Sequence, residues 1–268
     1  MAFAILVTQH EKGKLIAPVL QEIGIRVVEN SSWDTDQLGT FAGEVERRLT
    51  PHECALEKAK QAIKLTGLGI GLGSEGSFGG GPLPGVINWN EEILCFYQPE
   101  HERVIYARAS GAFPGKSFVL EQISDLEHVE ELSNQGLHWI VKINDEILKG
   151  LNLAMLTEAL TIADQHGLLT WPIKVEPDLR AMYCPPRQQM IKKAAEDLAR
   201  RLQALCPECS EPNFVVKHQE KGLPCELCSL PTQLPSHEVL HCEACEHTEK
   251  LGVAATSADS QHCQWCNP

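Results

Sequence analysis

The stretch Thr66-Gly-Leu-Gly-Ile-Gly-Leu-Gly-Ser-Glu-Gly-Ser-Phe-Gly-Gly-Gly-Pro82 decides how the N-terminal part of the chain is read. Within it, Gly71-Leu-Gly73-Ser-Glu-Gly76 spells the G-x-G-x-x-G of dinucleotide-binding loops, whose glycines bring a phosphate to a helix N-terminus. The residues that follow deny that reading. Ser77-Phe78-Gly79-Gly80-Gly81-Pro82-Leu83-Pro84-Gly85 cannot propagate the required helix, and the Gly-Lys-Ser/Thr ending of a Walker loop is missing.

Read as a strand, residues 68–73 alternate Leu68, Ile70 and Leu72 on one face with Gly69, Gly71 and Gly73 on the other. A strand face without side chains is where a helix, another backbone or a ligand comes close. Glu75 is expected at the C-terminal end of this strand, the edge at which open α/β sheets bind their ligands.

The segments on either side support an α/β layering. Phe3–Thr8 and Ile25–Val28 read as strands, with a helix near Leu15–Ile23 between them. Thr50-Pro51-His52-Glu53 combines a capping box with proline at the first helical position, and Gly67 closes the helix. Ala55, Ala59, Ala62 and Ile63 give that helix a small-residue face suited to the bare side of the glycine strand. Beyond it come a hairpin from Ile93–Tyr97 and Val104–Arg108, a helix over Leu120–Leu132, a strand over His138–Ile143 and a helix over Asn152–His166. A long helix from about Arg187 delivers the chain to Cys206. The expected organisation is an α/β domain over 1–205, with a mixed sheet flanked by helices, and a small double zinc-ribbon-like module over 206–268.

The tail carries the most specific pattern. Cys206-x-x-Cys209 and Cys225-x-x-Cys228, then Cys242-x-x-Cys245 and Cys263-x-x-Cys266, form four metal knuckles. Four thiolates close a tetrahedral shell, so two structural zinc ions without an open coordination position are expected. Spacing leaves open whether the pairs join in order or interleave. Residues 206–268 hold three lysines, no arginine and nine acidic residues, a balance adverse to phosphate backbones.

The whole chain agrees: 268 residues carry a net charge of −13, with 43% apolar and 22% charged residues. That disfavours broad attraction to nucleic acid or anionic membrane. The helix with Arg187, Lys192, Lys193, Arg200 and Arg201 is the one local basic candidate. No apolar run approaches the roughly 18 residues of a membrane helix, the N-terminus lacks the basic start of a signal peptide, and paired cysteines suit a reducing compartment. A cytoplasmic location is expected. Cys54, Cys95 and Cys184 have no triad partner nearby in sequence and read as structural.

Chemistry is expected at the ligand edge of the sheet. Asp36, Glu46 and Glu75 would suffice to hold magnesium on a nucleotide phosphate, and are the candidate catalytic carboxylates. Lys14, Arg47, Ser74, Ser77, Arg180 and Arg187 are the candidate substrate-binding residues. Asp178-Leu-Arg180 also reads simply as a surface ion pair at a turn.

Asp34-Thr-Asp36-Gln-Leu-Gly39-Thr-Phe-Ala-Gly43-Glu-Val-Glu-Arg47, Ser74-Glu-Gly-Ser-Phe-Gly79, Leu223-Pro-Cys225-Glu-Leu-Cys228 and Cys263-Gln-Trp-Cys266-Asn-Pro268 together resemble an uncharacterised bacterial family under a domain-of-unknown-function label. The chain departs from that pattern at Gly80-Gly81, Met182 and Cys184, where the family places proline and histidine, then histidine and asparagine. Residues 1–135 more distantly resemble the inosine/xanthosine triphosphatase and Maf superfamily of nucleotide pyrophosphatases, through an early lysine, the acidic segment, a Lys58-Ala59 helix and Glu75-Gly76. That resemblance implies magnesium-assisted cleavage of a nucleotide-like substrate, with Glu75 at the metal. The competing expectation is a noncatalytic protein whose acidic zinc tail binds a protein partner.

Overall fold

The computed structural model describes residues 2–39, 46 and 48–268, with the Asp36 side chain left aside. The chain divides into two compact units, Met1–Leu198 and Ala199–Pro268.

The N-terminal unit is built on a five-stranded mixed sheet of order β2-β1-β3-β4-β5. Its strands are β1 (Ala2–Val7), β2 (Ile25–Asn30), β3 (Gly71–Phe78), β4 (Trp89–Gln98) and β5 (Arg103–Ala112). β1 lies parallel to both β2 and β3, whereas β3, β4 and β5 run antiparallel. Helix α1 (Gly13–Glu22) connects β1 to β2, and α2 (Pro51–Thr66) precedes β3.

The expected capping box starts α2. Thr50 Oγ1 accepts from the Glu53 N–H, the Glu53 carboxylate accepts from the Thr50 N–H at 2.8 Å, and Gly67 ends the helix at φ 72°. α2 buries Cys54, Ala55, Lys58, Ala59 and Ala62. The bare strand face is its seat: a Cβ on Gly71 would overlap the Ala59 carbonyl, and one on Gly73 the Ala55 carbonyl. Of the readings left open for the glycine face, close helix contact is the one the fold uses.

The glycine strand is shifted from its expected span. It runs from Gly71 to Phe78, so Glu75 lies inside it and not at its end. Pairing with β4 recruits these residues, with Glu75 opposite Ile93 and Gly76 opposite Glu92. β1 meets β3 only at Ile5–Gly71 and Leu6–Leu72, so residues 74–78 outrun β1 and form the C-terminal edge of the parallel part.

A second, antiparallel sheet has order β6-β9-β7-β8. It consists of β6 (Phe118–Leu120), β7 (Trp139–Ile143), β8 (Glu146–Leu151) and β9 (Ile173–Pro177). Helices α3 (Glu127–Asn134) and α4 (Leu153–Gln165) close a core around Trp139, Leu156, Leu160 and Val175. The helix expected over Leu120–Leu132 is divided: Leu120 ends β6, and a 3-10 turn leads into α3. β8 escaped the sequence reading because Glu146–Leu151 carries weak apolar alternation. Helix α5 (Pro185–Gln203) follows, and the boundary between the units falls within it.

The C-terminal unit contains the antiparallel sheet β10 (Val215–Lys221), β11 (Pro235–His241) and β12 (Thr248–Gly252). Cys206, Phe214 and Cys242 form its small core.

Candidate metal centres and a buried charge cluster

The four knuckles of the C-terminal unit share one backbone device. In each, the carbonyl of the first cysteine accepts the N–H of the residue after the second: Ser210 to Cys206, Ser229 to Cys225, Glu246 to Cys242 and Asn267 to Cys263, at 2.8–3.0 Å. Ser210, Ser229 and Glu246 take left-handed conformations at φ 62°, 58° and 62°. The turn folds both thiols of a pair to one side, with the first cysteine buried and the second exposed.

The pairs interleave. Cys206, Cys209, Cys242 and Cys245 make one group, and Cys225, Cys228, Cys263 and Cys266 the other, each with its four sulfurs within 4.8 Å of one another. Sγ separations across the pairs are 3.6 Å for Cys206–Cys245, Cys209–Cys242 and Cys228–Cys263, and 3.9 Å for Cys225–Cys266. A tetrahedral ion with metal–sulfur bonds of about 2.3 Å requires sulfur edges of about 3.8 Å, so the donor sets fit two four-thiolate metal sites. The interleaving follows from the antiparallel β10–β11 register: Val215, after the first knuckle, pairs with His241, just before the third, so the first and third knuckles meet at one end of the hairpin. Spacing alone could not have given it.

The other three cysteines are buried thiols. Burial pushes Cys95 up to about 12 and Cys184 up to about 11, which leaves both protonated and inert at neutral pH.

In the N-terminal unit a charge cluster gathers where β3 outruns β1. Lys12, Lys58, Ser74, Glu75, Asn90, Glu92 and Arg187 are all buried, with Glu92 and Arg187 each 1% exposed. Strand alternation sorts them. Glu75 shares the α2 face with Gly71 and Gly73 and pairs with Lys58 of α2. Ser74 and Gly76 point the other way, beside Glu92 of β4.

On that second face, Lys12 sits at the start of α1, which is anchored to β2 by the Gly13 N–H donating to Glu29 Oε2 at 2.8 Å. A Cβ on Gly13 would strike that carboxylate. Lys12 Nζ donates to Ser74 Oγ at 3.1 Å and to the Ser74 carbonyl at 3.4 Å, reaching the strand beyond the end of β1. It lies 3.8 Å from Glu92 Oε2, too far for a hydrogen bond. Arg187 of α5 donates from Nε to Glu92 Oε1 at 2.7 Å, and its guanidinium lies 5.8 Å from the Phe78 ring. Gly76 is what admits this pair, because a Cβ there would enter both the Glu92 carboxylate and the Arg187 guanidinium.

Among the described residues, three cations thus face two carboxylates. Burial, followed by the field of Arg187, lowers the Lys12 amine from 10.5 to about 7, against the pull of Glu92. Lys12 can therefore exchange a proton near neutrality.

The sequence-selected residues distribute unevenly over this geometry. Glu75, Ser74 and Arg187 belong to the cluster, and the Ser77 carbonyl accepts from Asn90 Nδ2 at its edge at 3.2 Å. Lys14 instead pairs with Glu11 at 2.5 Å on the surface, its side chain 74% exposed. Glu46 is exposed, Arg47 lies outside the described residues, and Asp36 is described for its backbone alone. Arg180 clasps Asp178 at 2.6 Å and stacks on Tyr183. That pair is no simple surface bridge: Asp178 is 1% exposed and also accepts the Gly150 N–H at 2.9 Å, pinning β8 to the turn after β9. Arg187 is likewise withdrawn from the basic helix face considered for nucleic acid. Lys12, Asn90 and Glu92 went unselected in sequence. Lys12 is two residues from the lysine chosen. Glu92 shares the strand period of two with Leu94 and Phe96, a local hint that it faces inward, but the residues it meets there follow only from the β3–β4 register.

The chain belongs to the family described as Domain of unknown function (DUF6671), whose model matches residues 58–268. No curated protein and no solved structure matches the chain. None of these comparisons returns the triphosphatase and Maf superfamily. Among the described residues no helix is long and apolar enough to cross a membrane.

Proposed function

We propose that the N-terminal unit binds the phosphoryl group of a nucleotide-like substrate at Lys12, Lys58 and Arg187 and hydrolyses it with the help of a divalent cation, while the C-terminal unit is held by two structural zinc ions. The observation that supports the reading is the excess, among the described residues, of buried cations over carboxylates at the C-terminal edge of the parallel strands, where α/β sheets receive ligands. The loose 3.8 Å approach of Lys12 to Glu92 leaves its ammonium open to a better acceptor. A phosphoryl oxygen at about 2.8 Å would be one.

Magnesium would arrive on the phosphates, needing only one or two carboxylates beside water, and would make the phosphorus more electrophilic. The described donors fit the anion better than the cation, because Glu75 and Glu92 are already matched by Lys58 and Arg187. Asp36 and Glu46 are therefore the carboxylates proposed for the cation. Lys12, close to half protonated at neutral pH, is placed to neutralise charge developing on the phosphoryl oxygens.

The test is calorimetric titration with nucleoside triphosphates and magnesium, together with phosphate and pyrophosphate release, for the native chain and Lys12→Met. Binding and release lost in the variant are expected; a native chain that neither binds nor cleaves any of them overturns the reading.

One observation favours a second reading, a noncatalytic protein-interaction role. Leu227 and Trp265 are 71% and 66% exposed, and occupy the two knuckles of the same four-cysteine group. With nine acidic residues against three lysines around them, they suit a basic partner with apolar anchors. Such a partner would bind Leu227→Ser/Trp265→Ser weakly and Lys12→Met normally.

A further inference from the structure

Asn90 is 1% exposed at the start of β4, and its Oδ1 is the one buried side-chain polar atom without a hydrogen-bond partner among the described residues. Its orientation is chemically fixed. Nδ2 donates to the Ser77 carbonyl and to Glu92 Oε1, both at 3.2 Å, and exchanging the amide's ends would set an oxygen against two acceptors. The carboxylate of Glu92 is shared: Asn90 Nδ2 and Arg187 Nε donate to Oε1, Arg187 Nη2 donates to Oε2 at 3.4 Å, and Lys12 stands 3.8 Å from Oε2. An acceptor without a donor and an ammonium only loosely paired with its carboxylate thus flank Glu92. An orphaned buried acceptor carries its full desolvation penalty, and an apolar residue of similar size would avoid it.

We infer that Asn90 Oδ1, with Lys12 and Arg187, forms a composite subsite for a phosphoryl compound carrying a hydroxyl or amino donor next to its phosphate, as opposed to a bare inorganic phosphate chain. The inference rests on the phosphoryl-binding reading of the same cluster. Asn90 is a positioning and specificity residue here: Lys12 and Arg187 take the charge, and Asn90 reads the donor.

Titration of the full chain with ATP and with inorganic tripolyphosphate, both with magnesium, tests it. ATP is expected to bind about tenfold more tightly than tripolyphosphate, the worth of one well-placed hydrogen bond. In Asn90→Ala that preference is expected to fall to within about twofold, through a loss of ATP affinity alone. Unchanged tripolyphosphate affinity shows that the variant is folded, and Asn90→Gln, titrated in parallel, should keep part of the preference. Equal affinities in the native chain, or a preference that survives in Asn90→Ala, overturn the inference and leave Oδ1 to a bound water. Failure of both ligands to bind the native chain overturns the phosphoryl-binding reading itself.

Discussion

The two units gather charge in opposite ways. In the C-terminal unit, four thiols converge within 4.8 Å in each of two groups. In the N-terminal unit, three cations and two carboxylates among the described residues are interdigitated, each carboxylate already matched. The first arrangement is repulsive once the thiols ionise and needs an outside ion to exist. Among the described residues the second nearly balances itself, with a small positive surplus. One unit thus carries two four-cysteine groups able to hold metal ions, whereas the other carries an internally paired charge cluster.

The largest test of that contrast is metal removal. A strong chelator is expected to unfold residues 199–268, because structural zinc binding is worth about 10–16 kcal/mol, while amide exchange in β1, β3 and β4 stays slow. The interleaved pairing gives a sharper version. Cys206→Ser/Cys242→Ser should lose one bound ion and keep the other, whereas Cys206→Ser/Cys225→Ser should lose both. Pairing in sequence order would reverse the two stoichiometries, which elemental analysis of the purified variants reads directly.

Within the N-terminal unit the balance itself can be broken. Arg187→Met leaves the buried Glu92 carboxylate with the Asn90 amide and, as its charge partner, Lys12 at 3.8 Å, and should cost about 3–5 kcal/mol in denaturant titration. A smaller effect is expected where geometry and not charge is at stake. Gly73→Ala drives a methyl into the Ala55 carbonyl and should cost about 3 kcal/mol, whereas Gly69→Ala, with nothing within 4 Å, should stay within about 0.5 kcal/mol of the native chain. Equal costs at the two glycines would mean that α2 does not rest on the bare strand face.

These contrasts also explain what could be read in the sequence. Metal knuckles are local: two cysteines three positions apart already form half a site, so all eight ligands stand out in the chain. The capping box at Thr50 and Glu53 and the small face of α2 are local too. The charge cluster is assembled from α1, α2, β3, β4 and α5, with Arg187 and Glu92 separated by 95 positions. Little that is local distinguishes Lys12 from Lys14 or Glu92 from its neighbour Glu91. What the inward glutamate meets depends on the β3–β4 register, and which lysine turns inward depends on how the chain enters α1. Glu75 could be selected because its glycine-rich strand is itself a local signal, although pairing with β4 moved it from the strand's end to its interior.

The pH dependence of stability separates those two lysines. With its amine lowered to about 7 from 10.5, Lys12 binds its proton less tightly in the folded chain than in the unfolded one. Between those values the unfolded state holds the extra proton, so this residue's contribution to stability rises with pH, by at most about 1.4 kcal/mol per pH unit. Below pH 7 the buried ammonium imposes its full penalty. Lys14 shifts the other way, raised by its hydrogen bond to Glu11, so it stays protonated in both states across this window. Denaturant titrations from pH 6 to pH 9.5 should therefore show Lys12→Met losing part of the native chain's gain in stability with pH, and Lys14→Met tracking the native curve. The same proton couples to binding: a phosphoryl group that restores the Lys12 charge must take up a proton above pH 7. Binding heats at pH 8 should consequently depend on the ionisation enthalpy of the buffer. Buffer-independent heats with tight binding would place the anion elsewhere than at Lys12.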